Sequence, residues 1–135
     1  MKAIDKAWVA GIFEGEGSAG NWERYSKKDK HSRYARIAIT NTDVSMLREV
    51  QKTTKGIISA RIPRMNRING FNERKISYCL TINKIEDINS FLKNIVPFIR
   101  SDYKKEQISK LNINKGSKRW RAYVRKKRSL IFIAK

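Results

Sequence analysis

The chain has 135 residues, 40% of them hydrophobic, and carries 31 Lys and Arg against 12 Asp and Glu, a net charge of +19. A chain of this size and apolar content is expected to form one domain, 1–135, around a buried core. Its charge points to phosphate backbones, bound through counterion release. No membrane span is expected, because no run approaches the ~18 apolar residues needed. Met1–Asp5 lacks the apolar core of a secretory signal. The single cysteine, Cys79, excludes an internal disulfide and a cysteine-based zinc cluster.

Ile4–Phe13 reads as a helix, with Ile4, Ala7, Trp8, Gly11 and Ile12 at i, i+3, i+4, i+7 and i+8, and with Gly15 and Gly17 ending it. Ser18–Lys27 alternates weakly and reads as a strand, followed by a polar turn over Lys27–Lys30. Ser32–Thr40 alternates clearly, with Ala35, Ile37 and Ile39 on one face and Tyr34, Arg36 and Ala38 on the other. Asn41-Thr42-Asp43 then forms a turn and N-cap for a helix striped by Val44, Leu47, Val50 and Gln51 and closed by Gly56. Ile57–Arg64 and Lys75–Ile82 make a second hairpin around Asn69-Gly70. Lys84–Ile99 is a helix with Ile85, Ile88, Phe91, Leu92, Ile95 and Val96 inward, interrupted at Pro97. Tyr103–Leu111 is a further short helix. The tail from Ser117 to Lys135 is basic, then apolar, with Trp120, Tyr123, Val124 and Ile131 on one helical face.

The order α-β-β-α-β-β-α, with a basic helical tail, predicts an α+β fold. Two hairpins make a four-stranded antiparallel sheet, and helices cover one face. The other face would present Trp22, Arg24, Tyr34, Arg36, Ser59, Arg61, Lys75 and Ser77. A cationic sheet face of this width suits a DNA groove, whereas a merely solvated face would carry mixed charge. The tail cations, Arg121 and Arg125 among them, would contact phosphates rather than bases.

Val9–Gly17 reads Val-Ala-Gly-Ile-Phe-Glu-Gly-Glu-Gly. Its carboxylates, Glu14 and Glu16, lie in a chain built to attract anions, and a carboxylate aimed at a polyanion needs a cation between them. Residues two apart on a helix do not share a face, so the two acids should diverge. Glu16, placed past the last turn, meets an unfavourable helix dipole that a bound Mg²⁺ would offset. Gly11-x-x-x-Gly15 gives the helix a smooth strip on which two copies could cross, or which could pack on the chain's own sheet. The pattern occurs once in the chain, so a site with two such acids on a duplex would need a homodimer. His31 reads as a solvated loop residue. Glu73-Arg74-Lys75 lies in a turn and lacks an upstream aspartate for an acid-x-Lys nuclease site.

The nine residues, together with the element order and the charge, resemble the single-motif LAGLIDADG homing endonucleases. Ala10 and Gly11 are identical to the signature, Glu14 and Glu16 fall on its two acids, and Gly17 on its final glycine. The likeness covers about residues 4–112 and leaves 113–135 outside. It implies Mg²⁺-dependent hydrolysis of a long, near-palindromic double-stranded DNA target by a homodimer. It also implies metal ligands at Glu16 and the Gly15 carbonyl, a water-positioning side chain at Asn41, and a catalytic lysine at Lys104, with Lys105 the alternative. Ala10, Gly11, Ile12 and Gly15 would form the dimer interface. The family's basic residue early in the second helix falls near Ser45, which is not basic, and Arg48 is the nearest substitute. The same scaffold could instead bind without cutting, as an RNA-splicing maturase on its own intron RNA or as a DNA-binding regulator.

Overall fold

The computed structural model describes residues 1–24, 27, 32–62 and 75–113. Helix α1 spans Ala3–Glu16, strand β1 Gly17–Arg24, β2 Ser32–Asn41 and helix α2 Val44–Gln51. Strands β3 (Ile57–Arg61) and β4 (Ser77–Ile82), helix α3 (Ile85–Ile95), a 3-10 turn over Val96–Phe98 and helix α4 (Asp102–Ser109) follow. The strands form one antiparallel sheet in the order β1-β2-β4-β3. The expected α+β order is therefore the one observed. The Asn69-Gly70 turn, His31, Glu73, most of the Lys27–Lys30 turn and the tail with Arg121 and Arg125 lie outside the described residues.

Local chemistry accounts for the boundaries. Asp43 caps α2, its Oδ1 accepting from the amides of Ser45 at 3.0 Å and Met46 at 3.3 Å. The Ser45 hydroxyl also donates to Oδ1, and these bonds hold the Asp43 carboxyl below the usual carboxylate range. Glu86 and Asp87 occupy the first turn of α3 and Lys93 its last, each matching the helix dipole. Pro97 lacks the amide that would continue α3, and the chain tightens into the 3-10 turn. Ser101 caps α4 by accepting from the Lys104 amide.

One face of the sheet carries Ile37, Ile39, Leu80 and Ile82, packed beneath Val9, Phe13, Leu47, Val50, Ile88, Phe91 and Leu92. Phe13 meets Phe91 edge to face, 5.9 Å between centroids. Each such side chain contributes about 1.5–3 kcal/mol on burial.

The end of α1 differs from expectation. Neither Gly15 nor any earlier residue stops the helix, which runs to Glu16 and passes directly into β1 at Gly17. A Cβ at Gly17 would lie 2.4 Å from the Phe13 ring. The abrupt helix-to-strand junction depends on that missing side chain.

The inward face of α1 also differs from the Ile4–Ala7–Trp8–Gly11–Ile12 stripe. Val9, Ala10 and Phe13 are buried, whereas Ile4 is 75% and Trp8 45% exposed. Helix α1 is apolar or small on two opposite faces, and the core takes the one bearing Phe13.

Candidate nucleic-acid interface and metal site

The register assigns each strand residue to a face. Gly17 opposes Ile39 and Ala19 opposes Ile37 on the helix-covered side, while Gly20 opposes Arg36 and Trp22 opposes Tyr34 on the other. Across β2, β4 and β3 the open face continues through Thr40, Cys79 and Ser59, and through Ser77 beside Arg61. The expected face residues Trp22, Tyr34, Arg36, Ser59, Arg61 and Ser77 thus share one surface. Arg24 holds a register position on the same side, but its side chain lies outside the described residues. Lys75 is exposed just ahead of β4.

Aromatic rings and cations interleave on this surface. The Arg36 guanidinium lies 5.1 Å from the Trp22 ring centroid and 6.0 Å from that of Tyr34. Arg61 reaches over the buried Cys79, Nη2 to Sγ 3.9 Å. Two contributors escaped the sequence reading. Thr40 and Thr81 occupy open-face positions by the two-residue alternation that includes Arg36 and Ser77, so the period itself could have found them.

The motif acids diverge. Glu14 turns toward the link between α3 and α4, its Oε1 accepting from the Arg100 amide at 2.6 Å. Glu16 ends the helix exposed, and among the described residues no hydrogen bond or ion pair engages its side chain. Asn41 closes β2 at the same end of the sheet, two residues beyond the partner of Gly17. Its Oδ1 accepts from the Asp43 amide at 2.8 Å, and its register position follows Ile37 and Ile39 rather than the open face. Lys104 is not on the open face either. It is buried, its ammonium donating to the Gly17 carbonyl beside the Phe13 ring. Glu16, Asn41 and Lys104 therefore gather at one end of the β1–β2 pair, with Lys104 beneath the junction.

On α1, the exposed strip consists of Ile4, Ala7, Trp8, Gly11 and Gly15. A Cβ built on Gly11 or Gly15 meets nothing within 4 Å, so this strip does not pack on the chain's own sheet. Two of the expected interface residues lie off this strip. Ala10 is 1% exposed and belongs to the core, and Ile12 is half-buried against it, because both lie on the flanks of the face that carries Phe13.

The fold, as distinct from the site, is found in solved structures. I-CeuI, a group I intron-encoded homing endonuclease complexed with DNA, superposes with a TM-score of 0.58 at 19% identity, covering 80% of this chain and 52% of its own. The chain has the LAGLIDADG endonuclease fold. I-CvuI, solved with a DNA target in the presence of Mg, matches at 0.58 and 17% identity over 90% of this chain and 73% of its own. The archaeal intron-encoded I-Vdi141I, complexed with DNA, matches at 0.55 and 14% identity over 78% and 64%. The chain thus spans about half the length of I-CeuI. No family model matches the chain, and neither does any curated protein. Among the described residues, no helix is long and apolar enough to cross a membrane.

Proposed function

We propose that this protein is a site-specific, Mg²⁺-dependent double-strand DNA endonuclease that acts as a homodimer. The observation carrying this reading is the form of α1. Its outward face is a strip of small and apolar residues that nothing among the described residues covers, and that strip ends at an exposed carboxylate, Glu16. Two such helices crossing at Gly11 and Gly15 would bring two Glu16 side chains together and join two sheets into one continuous cationic surface.

The residues fit a divalent ion. Among the described residues no three His, Cys, Asp or Glu side chains cluster to form a closed metal cage. Mg²⁺ suits the alternative, since it is commonly held by one or two carboxylates plus phosphate oxygens and water. Glu16 and the Gly15 carbonyl would hold it. Bound there, the ion supplies Lewis acidity at the scissile phosphate and a more acidic attacking water. With its Oδ1 accepting from the Asp43 amide, Asn41 would use Nδ2 to orient a water at this end of the sheet. Trp22, Tyr34, Arg36, Ser59, Arg61, Ser77 and Lys75 would meet the duplex, with the basic tail adding phosphate contacts.

The test is cleavage of a library of randomised near-palindromic duplexes with and without Mg²⁺. The proposal expects cutting of both strands at a selected site, lost on chelation. Tight, selective DNA or intron-RNA binding without any cutting would replace it with the reading of a regulator or a splicing maturase.

A further inference from the structure

We infer that Lys104 is a positioning residue, which together with Glu14 clamps the α1–β1 junction so that Gly15 and Glu16 are held for the metal. The inference deepens the endonuclease reading and rests on it. Lys104 is 9% exposed, the one charged side chain in the core among the described residues. Its hydrogen-bond and ring partners among the described residues are neutral: the Gly17 carbonyl, Gln107 Oε1 at 3.5 Å, and the rings of Phe13 and Tyr103 at 5.5 and 5.9 Å. Burying an ammonium is costly unless its donors are used. A methionine would fill similar space without that cost, so the charge serves something packing does not.

What it serves lies at the end of α1. That helix has no basic residue in its last turn, and its C-terminal carbonyls carry roughly half a negative charge. Lys104 supplies the missing cation from α4, on the carbonyl directly after Glu16. One turn earlier, the Glu14 carboxylate is tied to the Arg100 amide. Residues 100–104 therefore grip α1 on both sides of Gly15 and Glu16. With its ammonium committed beneath the junction, Lys104 acts on the phosphate only through the geometry of Glu16.

Four variants of the full chain test this, each read two ways. Hydrogen exchange on the DNA-free protein reads the junction amides, residues 14–18. Calorimetric titration of Ca²⁺ into the complex with the library-selected duplex, and the Mg²⁺ midpoint of cleavage, read metal affinity. Lys104→Met is expected to speed exchange at 14–18 and to weaken metal affinity about 10- to 100-fold, as loss of a ligand's supporting contacts does. Lys104→Arg, which keeps the charge, recovers part of both. Glu14→Ala repeats the defect, and Glu14→Gln, which keeps the acceptor oxygen, recovers most of it. Should Lys104→Met not fold, the Glu14 pair decides. Unchanged exchange at 14–18 in the variants overturns the inference. So does loosened exchange with wild-type metal affinity, and so does a Glu14→Gln as defective as Glu14→Ala. If the wild-type chain neither binds metal nor cuts, the endonuclease reading fails, and exchange still reports whether the clamp exists.

Discussion

The Nε of Arg36 donates to Asn83 Oδ1 at 2.8 Å, joining the middle of β2 to the residue that follows β4. With Nε occupied and the guanidinium lying against Trp22 and Tyr34, the two terminal nitrogens have no partner among the described residues and can serve an outside acceptor pair. That fork matches the O6 and N7 edge of guanine. Arg36→Ala is expected to lose about 1–3 kcal/mol of discrimination at one base pair per half-site. Asn83→Ala should relax the same position less. Binding selections on randomised half-sites check this, and a uniform loss at every position would make Arg36 a phosphate contact.

Glu16→Gln keeps the shape of the side chain and removes the charge a divalent ion needs. Cleavage should fall to background in Mg²⁺, with duplex affinity kept within a few-fold. Electrophoretic mobility shifts beside a nicking assay separate the two effects. Near-normal cutting would end Glu16's assignment as ligand.

Gly11→Leu places a bulky side chain on the exposed strip, where a Cβ meets nothing within 4 Å among the described residues. The isolated fold should keep its melting temperature, and sedimentation should shift from dimer to monomer. Double-strand cutting should be lost with it. A variant that stays dimeric and cuts both strands would place the interface elsewhere.

Asp43 gives a pH signature. Its folded pKa lies below the ordinary value, mainly because of the Ser45 hydroxyl bond and then the Met46 amide bond. Its stabilising effect is therefore complete above the ordinary carboxylate pKa and is lost as pH falls through the folded one. The difference in melting temperature between wild type and Asp43→Ala should be constant at neutral pH and shrink below pH ~4. A difference that persists unchanged into strong acid would contradict the carboxylate's role.

Much of the sheet was legible because alternation is a local signal. Tyr34 and Arg36 against Ala35, Ile37 and Ile39 assign both faces of β2 without reference to any other element. Helix α1 was harder, since a 3.6-residue period shows that faces exist but not which one the core takes. Ile4, Ala7, Trp8 and Gly11 are as regular as Val9 and Phe13, and only the packing of Phe13 on Phe91 separates them. Lys104 was marked by resemblance as a residue of the site, yet its contact with Gly17 spans 87 positions of sequence. The Glu14 bond to Arg100 spans 86. Pairings of that range leave no periodic trace, so the chemistry of these residues was visible and their partners were not.

The glycines separate two kinds of mutational cost. At Gly17 and Gly56 an added Cβ collides with Phe13 or Leu80, so substitutions there should lower how much protein accumulates in a cell. At Gly11 and Gly15 the same atom meets open space, and variants should accumulate normally while failing in function. A saturation library scored separately for abundance and for cleavage would sort these four positions into two pairs. The pair silent in the first screen and lost in the second would trace the line along which one chain meets another.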